Sequence, residues 1–503
     1  MSDTGPTAHS LDTSLPDPVE AENVRYDPPA EDLRARSAHL ETTTEFGSPS
    51  YVSDQQSRQA DRTRNDVDWP FDTSDYGHVQ TALEAVRDPD REFVCVDRQL
   101  GRHEDHTYRC RYYVPAEQAR IVLALTRLFE PCEGPGDPDF VTVQIPDHDE
   151  IAIRTLVDQG LTAVLGSDYT GEAKKSFLRL FMQRTKAAGG LGLHAGSKRV
   201  TLRDDEGTRD VGQLFLGLSA TGKSTLTAHG LWLKGEESAT MLQDDVCALL
   251  PDGTVAGSEG NGLYVKTIGL DREEQPAMYD AVTHETAVLE NVDVSEAGEV
   301  DFDSNRHTTN GRAAILREYL DSAGTDVDLD RVDQMFFITR NPAMPPVTKL
   351  SAAESAAAFM LGESIQTSAG DPTAAGESIR VVGTNPFIVG SEGAEGNRFR
   401  ELIETLDVDC FLLNTGTVGG RDVGVEETVT ILRELARGTV TWGTDEATGL
   451  TVPSEVPGID IGAFGVADNV PDYEARLADL RAERRAYLES FEDLADDVVD
   501  AVY

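Results

Sequence analysis

Val211-Gly212-Gln213-Leu214-Phe215-Leu216 runs directly into Gly217-Leu218-Ser219-Ala220-Thr221-Gly222-Lys223-Ser224, and Thr225 continues toward an apolar stretch ending at Leu233. The first six residues read as a buried strand, and Ser224–Leu233 as a helix. The eight between them satisfy G-x-x-x-x-G-K-[ST]. Gly217 and Gly222 permit the backbone geometry that turns successive N–H groups inward on an anion. The start of the helix adds the positive end of its dipole. Lys223 can neutralise the outer phosphates of a nucleoside triphosphate, and the Ser224 hydroxyl can ligate Mg²⁺. Strand, loop and helix in this order predict a phosphate cradle formed by Gly217, Leu218, Ser219, Ala220, Thr221, Gly222, Lys223, Ser224 and Thr225.

Such a cradle needs a carboxylate to complete its metal. Leu242-Gln243-Asp244-Asp245 offers two, at the end of the apolar strand Thr240–Leu242. A strand-end turn that favours Asp is the plain alternative for that string. Further out, Arg91–Val96, Tyr108–Val114, Phe140–Gln144, Phe336–Thr339, Ile379–Val382 and Phe411–Asn414 read as strands. Glu117–Leu128, Lys174–Thr185, Leu350–Leu361 and Val425–Leu435 have helical spacing, and Gly189–Gly192 reads as a turn. Mixed elements predict an α/β or α+β protein with two domains. Residues 1–65 are polar and acidic and are expected to form a loosely ordered extension. Residues 66–205 are expected to form a substrate-side domain. Residues 206–503 are expected to form the nucleotide-binding domain, with a charged helical tail at Asp472–Val502.

The charge balance is 44 − 90 = −46. A surface of this sign repels nucleic acid. The acidic residues are dispersed, and the pattern resembles a halophile's protein, in which concentrated salt screens self-repulsion. No stretch approaches the roughly 18 apolar residues of a membrane span, and the N-terminus has no secretory pattern. A cytoplasmic enzyme is expected. The five cysteines form no CxxC pair, so neither a zinc ribbon nor a disulfide framework is supported. There are only eight lysines. Where Lys is scarce, each remaining one is a candidate for work that Arg cannot do, such as acting as a neutral amine. Lys174 and Lys175 stand side by side in Tyr169-Thr170-Gly171-Glu172-Ala173-Lys174-Lys175-Ser176-Phe177, and His194 follows in Gly192-Leu193-His194-Ala195.

At this point the chain resembles ATP-dependent phosphoenolpyruvate carboxykinases. Tyr169–Phe177 is similar to the family's Y-x-G-E-x-K-K-x-x-F. His194 lies 19 residues beyond Lys175 (194 − 175 = 19), as the family's metal-binding His does. Gly217–Ser224 resembles G-L-S-G-T-G-K-T, and Asp244-Asp245 the family's acidic pair. Glu259–Thr267 resembles E-G-G-x-Y-A-K-T, and Leu289-Glu290-Asn291-Val292 resembles L-E-N-V. Thr309-Asn310-Gly311-Arg312, Met344–Leu350 and Leu413-Asn414-Thr415-Gly416 resemble E-N-T-R, L-P-P-V-x-x-L and V-N-T-G. The ordered series covers about residues 91 to 440.

The resemblance implies a two-domain fold with the active site in the cleft between domains. It also implies a reaction: oxaloacetate and ATP give phosphoenolpyruvate, CO₂ and ADP, the entry to gluconeogenesis. Lys175, His194 and Asp245 would ligate Mn²⁺, Lys175 as a neutral amine. Lys223 and Ser224 would serve the ATP phosphates and Mg²⁺. Tyr169, Ser219 and Arg312 would line the oxaloacetate or phosphoenolpyruvate site. Glu259 and Lys266 would stand near the nucleotide, and Arg421 on its adenine side. The partners would be small molecules, with no nucleic acid or membrane, and the enzyme a monomer. The sequence departs from the family pattern at four places. The Arg of G-R-S-P-K-D-K has no counterpart in Phe46-Gly47-Ser48-Pro49-Ser50-Tyr51, where Gly47 stands instead, and Arg58 or Arg62 are candidate replacements. Ala220 and Ser224 replace Gly and Thr in the loop. Extra residues occur around Gly230–Ala239, and Glu259–Tyr264 is one residue longer. The competing readings are a kinase of the related HPr-kinase core acting on another acceptor, and a nucleotide-binding sensor without catalysis.

Overall fold

The computed structural model describes residues 11–134, 136–205, 207–218, 221–365, 378–446 and 448–503. The chain forms two compact units: Met1–Phe181 with Ser258–Asp321, and Met182–Gly257 with Ser322–Tyr503. The architecture is mixed α/β, as the pattern of elements predicts.

In the first unit, one sheet runs in the order Val24–Tyr26, Phe93–Leu100, Tyr108–Pro115, Phe140–Ile145, Leu161–Leu165, Ala152–Leu156, Thr63–Asn65, and Glu130–Pro131 pairs with Phe93–Leu100. The helix Thr73–Arg87 lays Val79, Ala82, Leu83 and Val86 against Phe93, Tyr113, Val143 and Leu165. Its start is fixed by a capping box between Asp72 and Asp75. A second sheet joins Gly262–Lys266, Arg312–Leu316, Val288–Glu290, Pro49–Tyr51 and Thr42–Thr43. Within residues 11–65, Val24–Tyr26 pairs with Phe93–Cys95 and Ser50–Tyr51 with Leu289–Glu290. This differs from the loosely ordered extension expected there. The stretch is too polar to build a core of its own, and it is held by strands far along the chain.

In the second unit, the principal sheet runs Ser238–Gln243, Ala195–Asp204, Gly207–Gly217, Gln334–Thr339, Asp409–Asn414, Val347–Leu350, Thr451–Glu455, Thr441–Thr444. Gly207–Gly217, Gln334–Thr339 and Asp409–Asn414 are parallel. They read as near-continuous apolar runs because both faces are covered. On one face lie Met335 and Phe337, packed with the helices Ala352–Leu361 and Glu392–Leu406. On the other lie Phe215, Phe336 and Phe411, stacked in series at 5.1 and 5.3 Å, with Leu226 and the helix Val425–Arg437. Ala195–Asp204 and Gly207–Gly217 form one antiparallel hairpin. The expected division at 205/206 would fall at its turn, whereas both arms belong to one unit. Nearby, the fully buried Arg484 donates to Glu363 at 2.8 Å, and Arg380 donates to the same carboxylate at 3.1 Å.

Some expected boundaries shift. The helix after the loop covers only Lys223–Ala228: His229 turns extended at φ −71° and ψ 128°, and Leu231 and Trp232 then take φ of 52° and 53°. Lys174–Thr185 lies inside a longer helix, Thr170–Ala187, and the expected turn Gly189–Gly192 overlaps the strand Leu191–Leu193. Ile379–Val382 is a strand only to Arg380. The tail is two helices, Tyr473–Leu488 and Asp496–Asp500.

Candidate active site

The topology of the second unit collects the phosphate-loop residues at one sheet edge. Gly207–Gly217, Gln334–Thr339 and Asp409–Asn414 all end there, as does Ser238–Gln243, while Ala195–Asp204 begins there. Ligands of open α/β sheets bind at such a carboxyl edge. Gly217 closes its strand, and a Cβ there would lie 2.6 Å from Thr221 Oγ1 and 3.1 Å from Ile338 Cβ. Gly222 takes φ 97°, a left-handed conformation that side chains resist, and Lys223 opens the helix. Thr221 Oγ1 donates to Leu218 O at 2.7 Å, and Thr415 Oγ1 donates to Thr221 O at 2.8 Å, tying the loop to the end of the strand Asp409–Asn414. Ser219 and Ala220 lie outside the described residues.

Ser224 Oγ donates to Asp244 Oδ2 at 3.1 Å. His194 Nε2 and Asp245 Oδ1 are 3.0 Å apart, and the other ring nitrogen, Nδ1, is 2.5 Å from Thr384 O. A carbonyl on Nδ1 fixes the ring's tautomer and leaves Nε2 as the nitrogen for a metal or carboxylate. Burial, and then the nearby Lys223 charge, lower the His194 pKa against the pull of Asp245. The imidazole is therefore held toward its neutral, ligating form. Lys223 Nζ and Asp244 Oδ1 are among the buried atoms that have no hydrogen-bond partner among the described residues. An amine left bare beside the loop suits a phosphate, and a bare carboxylate oxygen suits a cation. Imidazole, carboxylate and hydroxyl are donors that fit Mn²⁺ or Mg²⁺. Among the described residues there is no group of three or more His, Cys, Asp or Glu side chains that could hold a metal ion. Thr225 is exposed on the short helix. Arg421 lies with its guanidinium 4.7 Å from the centre of the Phe464 ring.

The first unit holds the remaining candidates. Lys175 Nζ lies 5.7 Å from the centre of the Tyr169 ring. Asn310 Nδ2 donates to Tyr169 Oη at 3.2 Å, while Asn310 Oδ1 accepts from Arg312 Nε and Nη2 at 3.1 and 2.8 Å. One amide thus orients both the phenol and the guanidinium. Burial raises the Tyr169 pKa, so the phenol keeps its proton and can donate. Lys266 and Arg312 face each other across two antiparallel strands. Burial, then the Arg312 charge, lowers the Lys266 pKa. Glu259 pairs with Lys174 at 3.1 Å, both side chains almost wholly enclosed.

Sequence reasoning assigned no role to the hub beneath these groups. Glu290 Oε1 accepts from Thr170 N, Thr170 Oγ1 and Arg120 Nη1 at 3.1, 3.0 and 3.1 Å, and its Oε2 accepts from Tyr264 Oη. Asn291 Oδ1 accepts from Ser53 N at 2.8 Å. The available signal was a Glu-Asn pair closing the apolar strand Val288–Glu290, since polar residues in such a place must find partners.

The G-x-x-x-x-G-K-S motif thus lies at a strand-to-helix turn of an α/β protein, with an imidazole–carboxylate pair at the same sheet edge. The family model described as phosphoenolpyruvate carboxykinase matches residues 40–461. A protein of Aeropyrum pernix named phosphoenolpyruvate carboxykinase (ATP) is 34% identical over 478 residues, 94% of this chain and 95% of its own. One of Chelativorans sp. with the same name is 32% identical over 324 residues, 62% of this chain and 57% of its own. Salinibacter ruber phosphoenolpyruvate carboxykinase (ATP) 1 is 26% identical over 461 residues, 86% and 82% of the two chains. The chain belongs to the phosphoenolpyruvate carboxykinase family.

Proposed function

We infer that this chain converts oxaloacetate and ATP to phosphoenolpyruvate, CO₂ and ADP. The observation that carries the reading is the bare Lys223 amine in the phosphate loop, close enough to lower the pKa of a His194 paired with Asp245. In the reaction the C–C bond to the departing carboxylate breaks and leaves an enolate, whose oxygen attacks the γ-phosphorus while ADP leaves. Lys223 and the backbone of Gly217–Ser224 would hold the triphosphate, so that positioning and charge neutralisation do most of the catalysis. Tyr169 and Arg312, aligned by Asn310, would donate to the developing enolate oxygen and the substrate carboxylate. Lys266 would add positive charge beside Arg312, Glu259 would hold Lys174, and Arg421 would flank the adenine. Mn²⁺ at Lys175, His194 and Asp245, and Mg²⁺ at Ser224, would supply neutralising charge for the enolate and the phosphates.

Arg58 is our candidate for the family's absent arginine. Its segment is pinned by Asp54 N and Gln55 N to Asp168 at 3.0 and 2.9 Å, and by Gln59 N to Glu172 at 2.6 Å. Asn310, which aligns Tyr169 and Arg312, also donates to Gln56 O at 3.0 Å. Arg62, by contrast, is exposed. Arg58→Gln is expected to raise the KM for oxaloacetate and leave that for ATP unchanged.

We place the enzyme in the cytoplasm as a monomer; among the described residues no helix is long and apolar enough to cross a membrane. A single-turnover assay with oxaloacetate, ATP and Mn²⁺ in concentrated salt tests the reaction. Phosphoenolpyruvate should form. Intact ATP binding without phosphoenolpyruvate would overturn the reading in favour of a kinase of another acceptor or a sensor. Lys175→Arg is expected to abolish Mn²⁺-supported turnover, and near-normal activity would remove Lys175 from the metal shell.

A further inference from the structure

Arg340 follows directly on the strand Gln334–Thr339, which lies parallel to the strand that opens into the phosphate loop, with Ile338 in register with Gly217. It therefore stands just past the level at which the loop begins. Phe336 and Ile338 pack with Leu226 of the phosphate-loop helix, whereas Met335 and Phe337 pack on the opposite face. With the two-residue period of a strand, Arg340 takes the register position of the helix face. Its stem runs along Gly416, where an added Cβ would lie 3.1 Å from Arg340 Cβ and 3.2 Å from its Cα. The residue before Gly416 is Thr415, which donates through N to Thr339 O at 2.9 Å and through Oγ1 to Thr221 O in the loop. Arg340 is thus built into the same knot of strand ends as the cradle.

Its guanidinium is unlike others in the chain. Arg120, Arg154 and Arg484 each meet a carboxylate within 2.5 to 2.8 Å. Arg340 makes no ion pair among the described residues, and its Nε is enclosed with no hydrogen-bond partner. This occurs in a chain with 90 acidic residues against 44 basic ones. Burial alone lowers its pKa, with no carboxylate opposing. A half-buried cation without a partner is costly, so the fold keeps it for something that arrives. In sheet order Asp244, Asp245 and His194 lie to one side of the loop strand, and Arg340 to the other.

We propose that Arg340 binds phosphate oxygens of the nucleoside triphosphate, gripping it on the side of the loop away from Asp244 and Asp245. A guanidinium presents two parallel N–H donors that match a phosphate, and Gly416 leaves room for the stem. The proposal rests on the reading of Gly217–Ser224 as an ATP site.

The test measures ATP, ADP and adenosine binding by calorimetry in the full chain, together with KM values, for Arg340→Gln, Arg340→Lys and Lys223→Ala. Arg340→Gln is expected to weaken ATP and ADP by roughly tenfold or more, while adenosine and the KM for oxaloacetate stay within about twofold. Arg340→Lys should recover part of the loss, because it restores the charge without the fork. If Arg340→Gln fails to fold, Arg340→Lys carries the comparison, with a partial loss confined to ATP and ADP. Unchanged ATP binding in the Arg340 variants, or equal losses for ATP and adenosine, overturns the proposal. Unchanged ATP binding in Lys223→Ala overturns the loop reading as well, whereas loss there alone overturns only the role of Arg340.

Discussion

The phosphate side and the carboxylate side of the candidate chemistry are built on opposite principles. Around the loop, Lys223 Nζ, Asp244 Oδ1 and Arg340 Nε are enclosed and without a hydrogen-bond partner among the described residues. Around Tyr169, the polar groups are tied to one another: Asn310 holds Tyr169 and Arg312, and Glu290 gathers Thr170, Arg120 and Tyr264. Bare charges carry a desolvation cost until a ligand supplies partners, which makes them sensitive to ligand and dispensable to the fold. A satisfied network behaves the other way: it fixes geometry in advance and contributes to stability.

Substitutions can break this contrast. The largest effect is expected at Lys223→Ala. It should lower kcat/KM by about a thousandfold in steady-state kinetics, yet leave the thermal melt of the unliganded protein unchanged or raised. A large loss of unliganded stability would refute the contrast on the phosphate side. Next comes Glu290→Gln, which removes one of the two carboxylates on the buried Arg120, Asp168 remaining at 2.7 Å, and should cost about 3 kcal/mol in denaturant unfolding. A third probe is the Glu363 carboxyl. Burial raises its pKa, but the Arg484 and Arg380 charges and the Asn341 hydrogen bond outweigh that and hold it at about 2, below the ordinary 4.5. Its contribution, on the order of 3 kcal/mol, is present above pH 4.5 and lost as pH falls toward 2. Glu363→Gln should flatten the fall in stability across that window in acid titrations. The smallest effect is expected at Asn310→Ala: a drop in kcat/KM of about tenfold, with ATP affinity unchanged, because it loosens two aligned groups and removes neither.

What the sequence made legible follows the same division. The loop, its strand and the acidic pair were readable because their chemistry is local: glycines, a lysine and a hydroxyl at fixed offsets. His194 with Asp245 was readable through the resemblance, and the fold joins their side chains. The hub at Glu290 was not, because its partners Arg120, Thr170 and Tyr264 come from three separate segments. The order within residues 11–65 escaped for the same reason. Ser50–Tyr51 is held on one side by Leu289–Glu290, far along the chain, and only Pro49–Ser50 has a local partner, in Thr42–Thr43. The helix after the loop was overread, since the apolar residues up to Leu233 continue past the point where Leu231 turns into the core. Arg340 gave no sequence signal; an arginine after a strand is ordinary until its Nε is seen enclosed and without a partner among the described residues.

The strand Pro49–Tyr51 bears on how the protein is made. Its neighbour Ser53 bonds a side chain 238 positions further on. A ribosome adding roughly 5–20 residues per second needs on the order of ten seconds to a minute to cover that distance. Throughout that interval the nascent chain carries an unsatisfied sheet edge, so expression yield should depend on chaperone supply more than the stability of the finished molecule suggests.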